Sequence, residues 1–162
     1  MLGLLADFAD TEHRMTQFEG KGFENPTSKS EATAAPKRKV LVVDDSSDAR
    51  MILQLLLTKL GHSTQTAESG QAGIAISKTF KPEIVLCDLM MGGGMSGYAF
   101  AEAARKDQDL AGVCIIAVSG WEGPDYEKQA YDAGFDRIMK KPVGLSDLQE
   151  ILRSPPRRTA SK

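Results

Sequence analysis

The sequence lacks the features of a membrane or secreted protein. None of its apolar runs approaches the roughly 20 residues that a membrane-spanning helix needs. The N-terminal segment 1–7 has no basic region and is interrupted by Asp7, unlike a secretory signal. The formal net charge of −2 points to no charged partner. We therefore predict a cytoplasmic protein that does not contact a membrane.

Cysteine is also scarce. The two cysteines, Cys87 and Cys114, both fall in apolar runs with the character of buried strands. Cys87 ends its run and Cys114 begins the other, so a disulfide would have to join residues out of register. We predict two reduced core residues in a reducing compartment. A redox role for Cys87 is the less favoured alternative.

Both ends of the chain lack a sustained hydrophobic period. Residues 1–37 include a stretch rich in Gly, Ser, Thr, Ala and Lys, and we predict a disordered extension there. A short docking helix remains an alternative, because this extension carries the apolar residues Leu2, Leu4, Leu5 and Phe8. Two prolines stop the last helix, so residues 154–162 are predicted to form a disordered basic tail. A single domain over 38–153 lies between them.

Within this domain, short apolar runs alternate with helical patterns. Four runs end in polar residues: 40–43 before Asp44 and Asp45, 84–87 before Asp88, 114–118 before Ser119, and 138–139 before Lys140 and Lys141. A fifth, weakly alternating segment over 62–67 is typical of a polar edge strand. Strict alternation of five strands and five helices predicts a doubly wound α/β fold with a five-stranded parallel sheet.

The helix boundaries follow from capping residues and periodicity. The first helix follows the caps at 46–48, and we assign its buried face to Ile52, Leu55, Leu56 and Leu60. Gly61 ends it in a left-handed conformation. The other four helices are predicted over 71–78, over 98–106, from Pro124 to a stop at Gly134, and over 146–153.

The strand ends carry the chemistry. All strands of a parallel sheet end at one edge, where ligands bind, so Asp44, Asp45, Asp88, Ser119 and Lys141 are expected to converge. Neighbouring carboxylates repel each other, and a hard cation such as Mg2+ would relieve that repulsion. A carboxylate can also carry an acyl phosphate, whose oxygens a hydroxyl and an ammonium would bind. Taken singly, each residue has an ordinary alternative as a helix cap, a turn residue or a solvated charge.

The ordered set of these motifs resembles the receiver domain of two-component response regulators, over about 39–152. The resemblance implies a flavodoxin-like three-layer sandwich with strand order 2-1-3-4-5. It implies that Asp88 is the phosphoacceptor and that Asp44, Asp45, Asp88 and the backbone carbonyl of Met90 bind Mg2+. It also implies that Ser119 is the switch hydroxyl, that Lys141 binds the phosphoryl group, and that the peptide bond from Lys141 to Pro142 is cis.

Three positions depart from the usual family pattern. A proline usually follows the methionine at Met91, but residues 92–94 are all glycine, in keeping with a one-residue insertion that makes the loop more mobile. Ile138 stands where an aromatic switch residue is common. Trp121 lies beside the expected phosphate entrance, where it either shields the phosphate or contacts a partner, or else packs against the fourth helix.

The resemblance predicts a stand-alone, chemotaxis-regulator-like receiver. It would accept a phosphoryl group from a histidine kinase or histidine phosphotransfer protein and would lose it by slow autodephosphorylation, without being an enzyme. We expect output through the face of the fourth helix, fifth strand and fifth helix to a protein target and not to DNA, because no output domain fits in the remaining residues. Two alternatives remain: a receiver-like binding module that is not phosphorylated, and a phosphatase, although Met90 occupies the position of the second acid that such an enzyme needs.

Overall fold

A computed structural model describes residues 36–156. Nearly all of the predicted extension (1–37) and most of the predicted basic tail (154–162) lie outside the described residues, so both stay predictions. Between residues 36 and 156, no helix is long and apolar enough to cross a membrane.

The described residues form five strands and five helices in strict alternation. Their order is β1 (Lys39–Val43), α1 (Ser47–Lys59), β2 (Ser63–Ala67), α2 (Gly70–Phe80), β3 (Ile84–Asp88), α3 (Gly97–Lys106), β4 (Cys114–Ser119), α4 (Pro124–Ala133), β5 (Arg137–Lys140) and α5 (Leu145–Arg153). The sheet is entirely parallel, with the order β2-β1-β3-β4-β5. The predicted doubly wound fold and its strand order are confirmed.

Side chains that alternate along the strands divide the core between the two faces of the sheet. Leu41 and Val43 point to one face, where α2, α3 and α4 pack around Phe100. Val40 and Val42 point to the other face, which α1 and α5 cover. The result is the three-layer sandwich expected from a buried parallel sheet.

The predicted buried face of α1 is wrong at two of its four positions. Leu53 and Leu57 are buried against the sheet, whereas Ile52 is 54% exposed and Leu55 is 68% exposed. Leu56 and Leu60, the other two predicted residues, pack at the margin of the core. All residues of 51–57 except Gln54 are apolar, so helical spacing allowed more than one buried face, and packing against the sheet selected one.

Local signals position the helix ends. Ser46, Ser69 and Ser96 each accept a hydrogen bond from a backbone N–H in the first turn of the helix that follows. Gly134 has a φ of 108° and closes α4, as predicted. The structure extends α2 two residues past its predicted end, to a left-handed Lys81.

Sheet register brings the strand ends to one edge. Val43 pairs with Cys87, Asp88 pairs with Val118, and Ser119 pairs with Lys140. The carboxyl ends of β1, β3, β4 and β5 therefore lie side by side at the same edge of the sheet.

Candidate functional site

Three carboxylates lie together at this edge. Asp44, Asp45 and Asp88 each offer a ligand atom, and these atoms all lie within 4.8 Å of one another. Asp44 is 2% exposed and Asp88 is 8% exposed, whereas Asp45 is exposed. Buried carboxylates are stable only when charges or hydrogen bonds compensate them.

Lys141 supplies that compensation. Its ammonium donates to Oδ2 of Asp44 at 3.0 Å and to Oδ2 of Asp88 at 3.1 Å. Burial alone would lower the pKa of Lys141, but the hydrogen bonds and negative charges of the two aspartates outweigh it, so the pKa is raised. The backbone N–H of Lys141 also donates to the Ser119 carbonyl at 2.8 Å. The peptide bond from Lys141 to Pro142 is cis, as the resemblance implies.

The Asp44-Asp45 pair is held by the start of α1. Oδ1 of Asp44 accepts from the Ser46 N–H at 2.8 Å. The guanidinium of Arg50 donates to the backbone carbonyls of Asp44 at 2.7 Å and Asp45 at 3.1 Å. Sequence reasoning missed Arg50, although an arginine one turn into the helix after an acidic pair was a readable signal.

The backbone around Asp88 is held by the loop that follows β3. Oδ1 of Asp88 accepts from the Met90 N–H at 3.2 Å. Gly97 at the start of α3 packs directly on this strand end, because a Cβ added there would lie 2.1 Å from the Asp88 carbonyl oxygen. The role of the Met90 carbonyl as a metal ligand stays a prediction.

Ser119 is buried at the end of β4, next to the residue that pairs with Asp88. Its hydroxyl accepts a hydrogen bond from the backbone N–H of Trp121 at 3.0 Å. The Trp121 ring lies 5.7 Å from the ring of Tyr126 on α4, centroid to centroid, and is 58% exposed. Contact with the fourth helix, one of the three interpretations of Trp121, is therefore present.

Residues beside the site have other roles. Lys140 is exposed and forms an ion pair with Glu122. Cys87 and Cys114 are buried, free thiols. Burial, with the nearby charges of Asp88 and Asp44, raises the pKa of the Cys87 thiol well above its usual value. The geometry favours the core role predicted for both cysteines.

The donor set fits a hard divalent cation. Three carboxylates face one ammonium, so the cluster keeps excess negative charge, and its potential ligand atoms are oxygens. Mg2+ prefers oxygen ligands and binds with only one or two carboxylates plus water. The arrangement places the carboxylates of Asp44, Asp45 and Asp88 close to one another, with the Lys141 ammonium in contact with two of them.

The sequence of residues 40–153 matches the response regulator receiver domain. The chain belongs to this family. Receiver domains are signalling modules of two-component phosphorelays and are generally not enzymes, and their fold is the one described above.

Two curated relatives show different extents of similarity. The receiver chain is 30% identical over 122 residues to the "Probable transcriptional regulator ycf27" of Porphyridium aerugineum, covering 75% of this chain and 49% of that protein. It is 33% identical over 116 residues to protein PilH of Pseudomonas aeruginosa, covering 72% of this chain and 95% of that protein. The chain thus spans about half the length of ycf27 and nearly all of PilH.

A solved structure supports the same fold. The chemotaxis protein CheY4 of Vibrio cholerae superposes with a TM-score of 0.68 at 24% identity, covering 72% of this chain and 97% of that one. At this identity the likeness shows the fold alone.

Proposed function

We propose that Asp88 accepts a phosphoryl group from a phosphohistidine of a histidine kinase or histidine phosphotransfer protein. The observation that carries the proposal is the position of the Lys141 ammonium, which lies 3.0 Å from Asp44 and 3.1 Å from Asp88. A lysine held between a metal-binding carboxylate and a nucleophilic one is ready to receive the negative charge that the transfer brings. An oxygen of Asp88 attacks phosphorus, and the bond from phosphorus to the donor imidazole breaks.

Mg2+ is the cofactor that this site fits. Asp44, Asp45, Asp88 and the Met90 carbonyl would hold it. When bound, it neutralises phosphoryl oxygens and reduces the repulsion between the incoming group and the carboxylates. Burial of Asp44 and Asp88 strengthens this electrostatic effect, because water screens charges less in a partly buried site.

Ser119 and Lys141 would bind the phosphoryl oxygens of phospho-Asp88. Lys141 then exchanges a carboxylate partner for a phosphoryl oxygen. The Ser119 hydroxyl, which accepts from the Trp121 N–H, turns to donate to the phosphoryl group. This exchange changes the turn before α4 and shifts the population of conformations at the α4-β5-α5 face. Ile138 in β5 is not aromatic, so no ring rotates at that position.

The output is proposed to pass through protein contact at this face. Some full-length relatives are named transcriptional regulators, so the prediction that the protein does not bind DNA directly is a separate hypothesis. Slow loss of the phosphoryl group to water would reset the domain. A cytoplasmic location also remains a prediction.

The decisive experiment offers a small acyl-phosphate donor with Mg2+ and measures protein mass. We expect a gain of one phosphate in the wild-type protein and none in Asp88→Asn, with Asp109→Asn, an exposed aspartate between α3 and β4, behaving as wild type. A gain that survives in Asp88→Asn would refute the role of Asp88. The absence of any gain would favour a binding module. Many rounds of phosphate-monoester hydrolysis per molecule would favour a phosphatase.

A further inference from the structure

Asp45 is the exposed member of the acidic cluster, and a backbone amide of the glycine-rich loop holds it. Its Oδ2 accepts a hydrogen bond from the Gly92 N–H at 2.7 Å. These two residues are 47 positions apart, so the bond joins the loop after β3 to the loop after β1. A carboxylate that accepts from an amide at this distance has a strong, charge-assisted hydrogen bond.

The loop that presents this amide is anchored on both sides. At its start the Met90 N–H donates to Asp88 at 3.2 Å, and at its end the Met95 N–H donates to Oε1 of Gln71 at 3.4 Å. Gly93, with a φ of 78°, and Gly94, with a φ of 139°, form the turn between these anchors. Such backbone conformations favour glycine, so the run of glycines lets the lengthened loop fold back over the acidic cluster.

The backbone conformation at position 92 does not require glycine, because Gly92 is not among the glycines with a positive φ. A Cβ added there would lie 3.4 Å from Oδ2 of Asp45, an ordinary contact. The usual family residue at this place, proline, has no N–H and makes this hydrogen bond impossible. The amide of residue 92 therefore makes a contact with Asp45 that a proline at this position could not make.

We propose that Gly92 is a positioning residue for Asp45. Its N–H holds one carboxylate oxygen and leaves the other preset toward the ligand atoms of Asp44 and Asp88. An exposed aspartate would otherwise sample several rotamers and lose that freedom when a cation binds. Fixing the rotamer beforehand raises the affinity for Mg2+ through preorganisation. This inference rests on the proposed role of the cluster as a Mg2+ site.

The test compares two substitutions at one position by calorimetric titration with Mg2+. Gly92→Pro removes the N–H, and we expect affinity to fall about threefold to tenfold. Gly92→Ala keeps the N–H and fits the available space, so its affinity should stay within about twofold of wild type. Equal affinity in Gly92→Pro and wild type, or an equal loss in both variants, would overturn the positioning role.

A second measurement does not depend on metal or on the folding of the proline variant. In the metal-free wild-type protein, the Gly92 amide proton should exchange slowly with solvent, and Asp45→Ala should remove that protection. The same exchange rate in both proteins would also overturn the inference. A wild-type protein that binds no Mg2+ would instead refute the proposed function, and the role of Gly92 with it.

Discussion

Lys141 and Asp88 are 53 positions apart in the sequence, yet Nζ of the lysine lies 3.1 Å from Oδ2 of the aspartate. The same ammonium contacts Asp44. Lys141 therefore competes for the carboxylate oxygens that a cation would use, and it repels a second positive charge. In the proposed function this position links metal binding to phosphorylation, because the ammonium neutralises the carboxylates before the phosphoryl group arrives.

Removal of Lys141 is expected to strengthen metal binding and to weaken the response to phosphorylation. In Lys141→Ala, Mg2+ should bind roughly threefold to tenfold more tightly, since a competing ammonium has gone. The matched control is Lys140→Ala, which removes the same charge from an exposed pair with Glu122. Calorimetric titration measures the Mg2+ affinity of both variants. Weaker Mg2+ binding in Lys141→Ala than in wild type would mean that the Lys141 ammonium does not oppose the cation.

Trp121 is the only tryptophan in the chain and should report the state of Ser119. Its backbone N–H donates to the Ser119 hydroxyl, so capture of that hydroxyl by a phosphoryl group should shift the backbone of Trp121, move the indole and change its fluorescence. We expect the change with an acyl-phosphate donor in wild type, a reduced change in Ser119→Ala, and none in Asp88→Asn. An undiminished change in Ser119→Ala would separate Trp121 from the hydroxyl.

The exposed apolar face of α1 is expected to contact the phosphohistidine donor. Met51, Ile52 and Leu55 are all more than half exposed, and α1 starts directly after the acidic pair. Leu55→Ser should slow transfer from a phosphohistidine protein roughly fivefold while leaving transfer from a small acyl phosphate unchanged. Tyr131→Ser, an exposed position at the far end of α4, is the control. Equal slowing with both donors would point to damage of the site itself.

Gly97 is expected to tolerate no side chain. A Cβ there would meet the Asp88 carbonyl oxygen at 2.1 Å, so Gly97→Ala must displace either α3 or the end of β3. We expect a loss of about 1–3 kcal/mol in the free energy of unfolding, measured with urea. Gly112→Ala meets no atom within 4 Å and should change the free energy of unfolding by no more than about 0.5 kcal/mol. Similar values for the two variants would argue against this close packing.

His62 should make the domain less stable in mild acid. Burial and the nearby Arg38 charge lower the pKa of His62 below 6.5, against a smaller opposing effect of Glu83. Its Nδ1 accepts a hydrogen bond from the backbone N–H of Arg38 at 3.2 Å, and only an unprotonated ring nitrogen can accept one. The lowered pKa therefore contributes stability that is complete above pH 6.5 and is lost as the pH falls through the folded-state pKa.

Thermal melting between pH 7.5 and 5 measures this contribution. His62→Asn keeps an acceptor near the Arg38 N–H but cannot titrate, so its melting temperature should fall less than that of wild type over this range. Parallel pH profiles for the two proteins would assign the acid sensitivity to other groups.

The strands were the most predictable part of the fold. Residues 84–87 and 114–118 are apolar without interruption, which is typical of strands buried on both faces, and they form β3 and β4. The buried face of α1 was not predictable, because residues 51–57 are all apolar except Gln54 and therefore place apolar side chains on nearly every side of the helix. Only contact with the sheet and with α5 distinguishes Leu53 and Leu57 from Ile52 and Leu55.

The site also has residues that the sequence could place and contacts that it could not. Asp88 and Lys141 could be assigned to one edge because each follows an apolar strand run. The contact of Gly92 with the acidic pair could not, because it depends on the path of the backbone through a loop. No periodicity constrains a loop, and a backbone carbonyl or amide that serves as a partner leaves no mark on residue identity.

The amino-acid order alone specifies which chemical groups exist at the sheet edge, because the side chain that follows each parallel strand must emerge at the same end. Tertiary packing specifies how these groups are paired. It places the Lys141 ammonium between two carboxylates, the Gly92 amide on a third, and the Ser119 hydroxyl on the turn toward α4. These pairings depend on distances between segments up to 97 residues apart, and only the assembled core sets such distances.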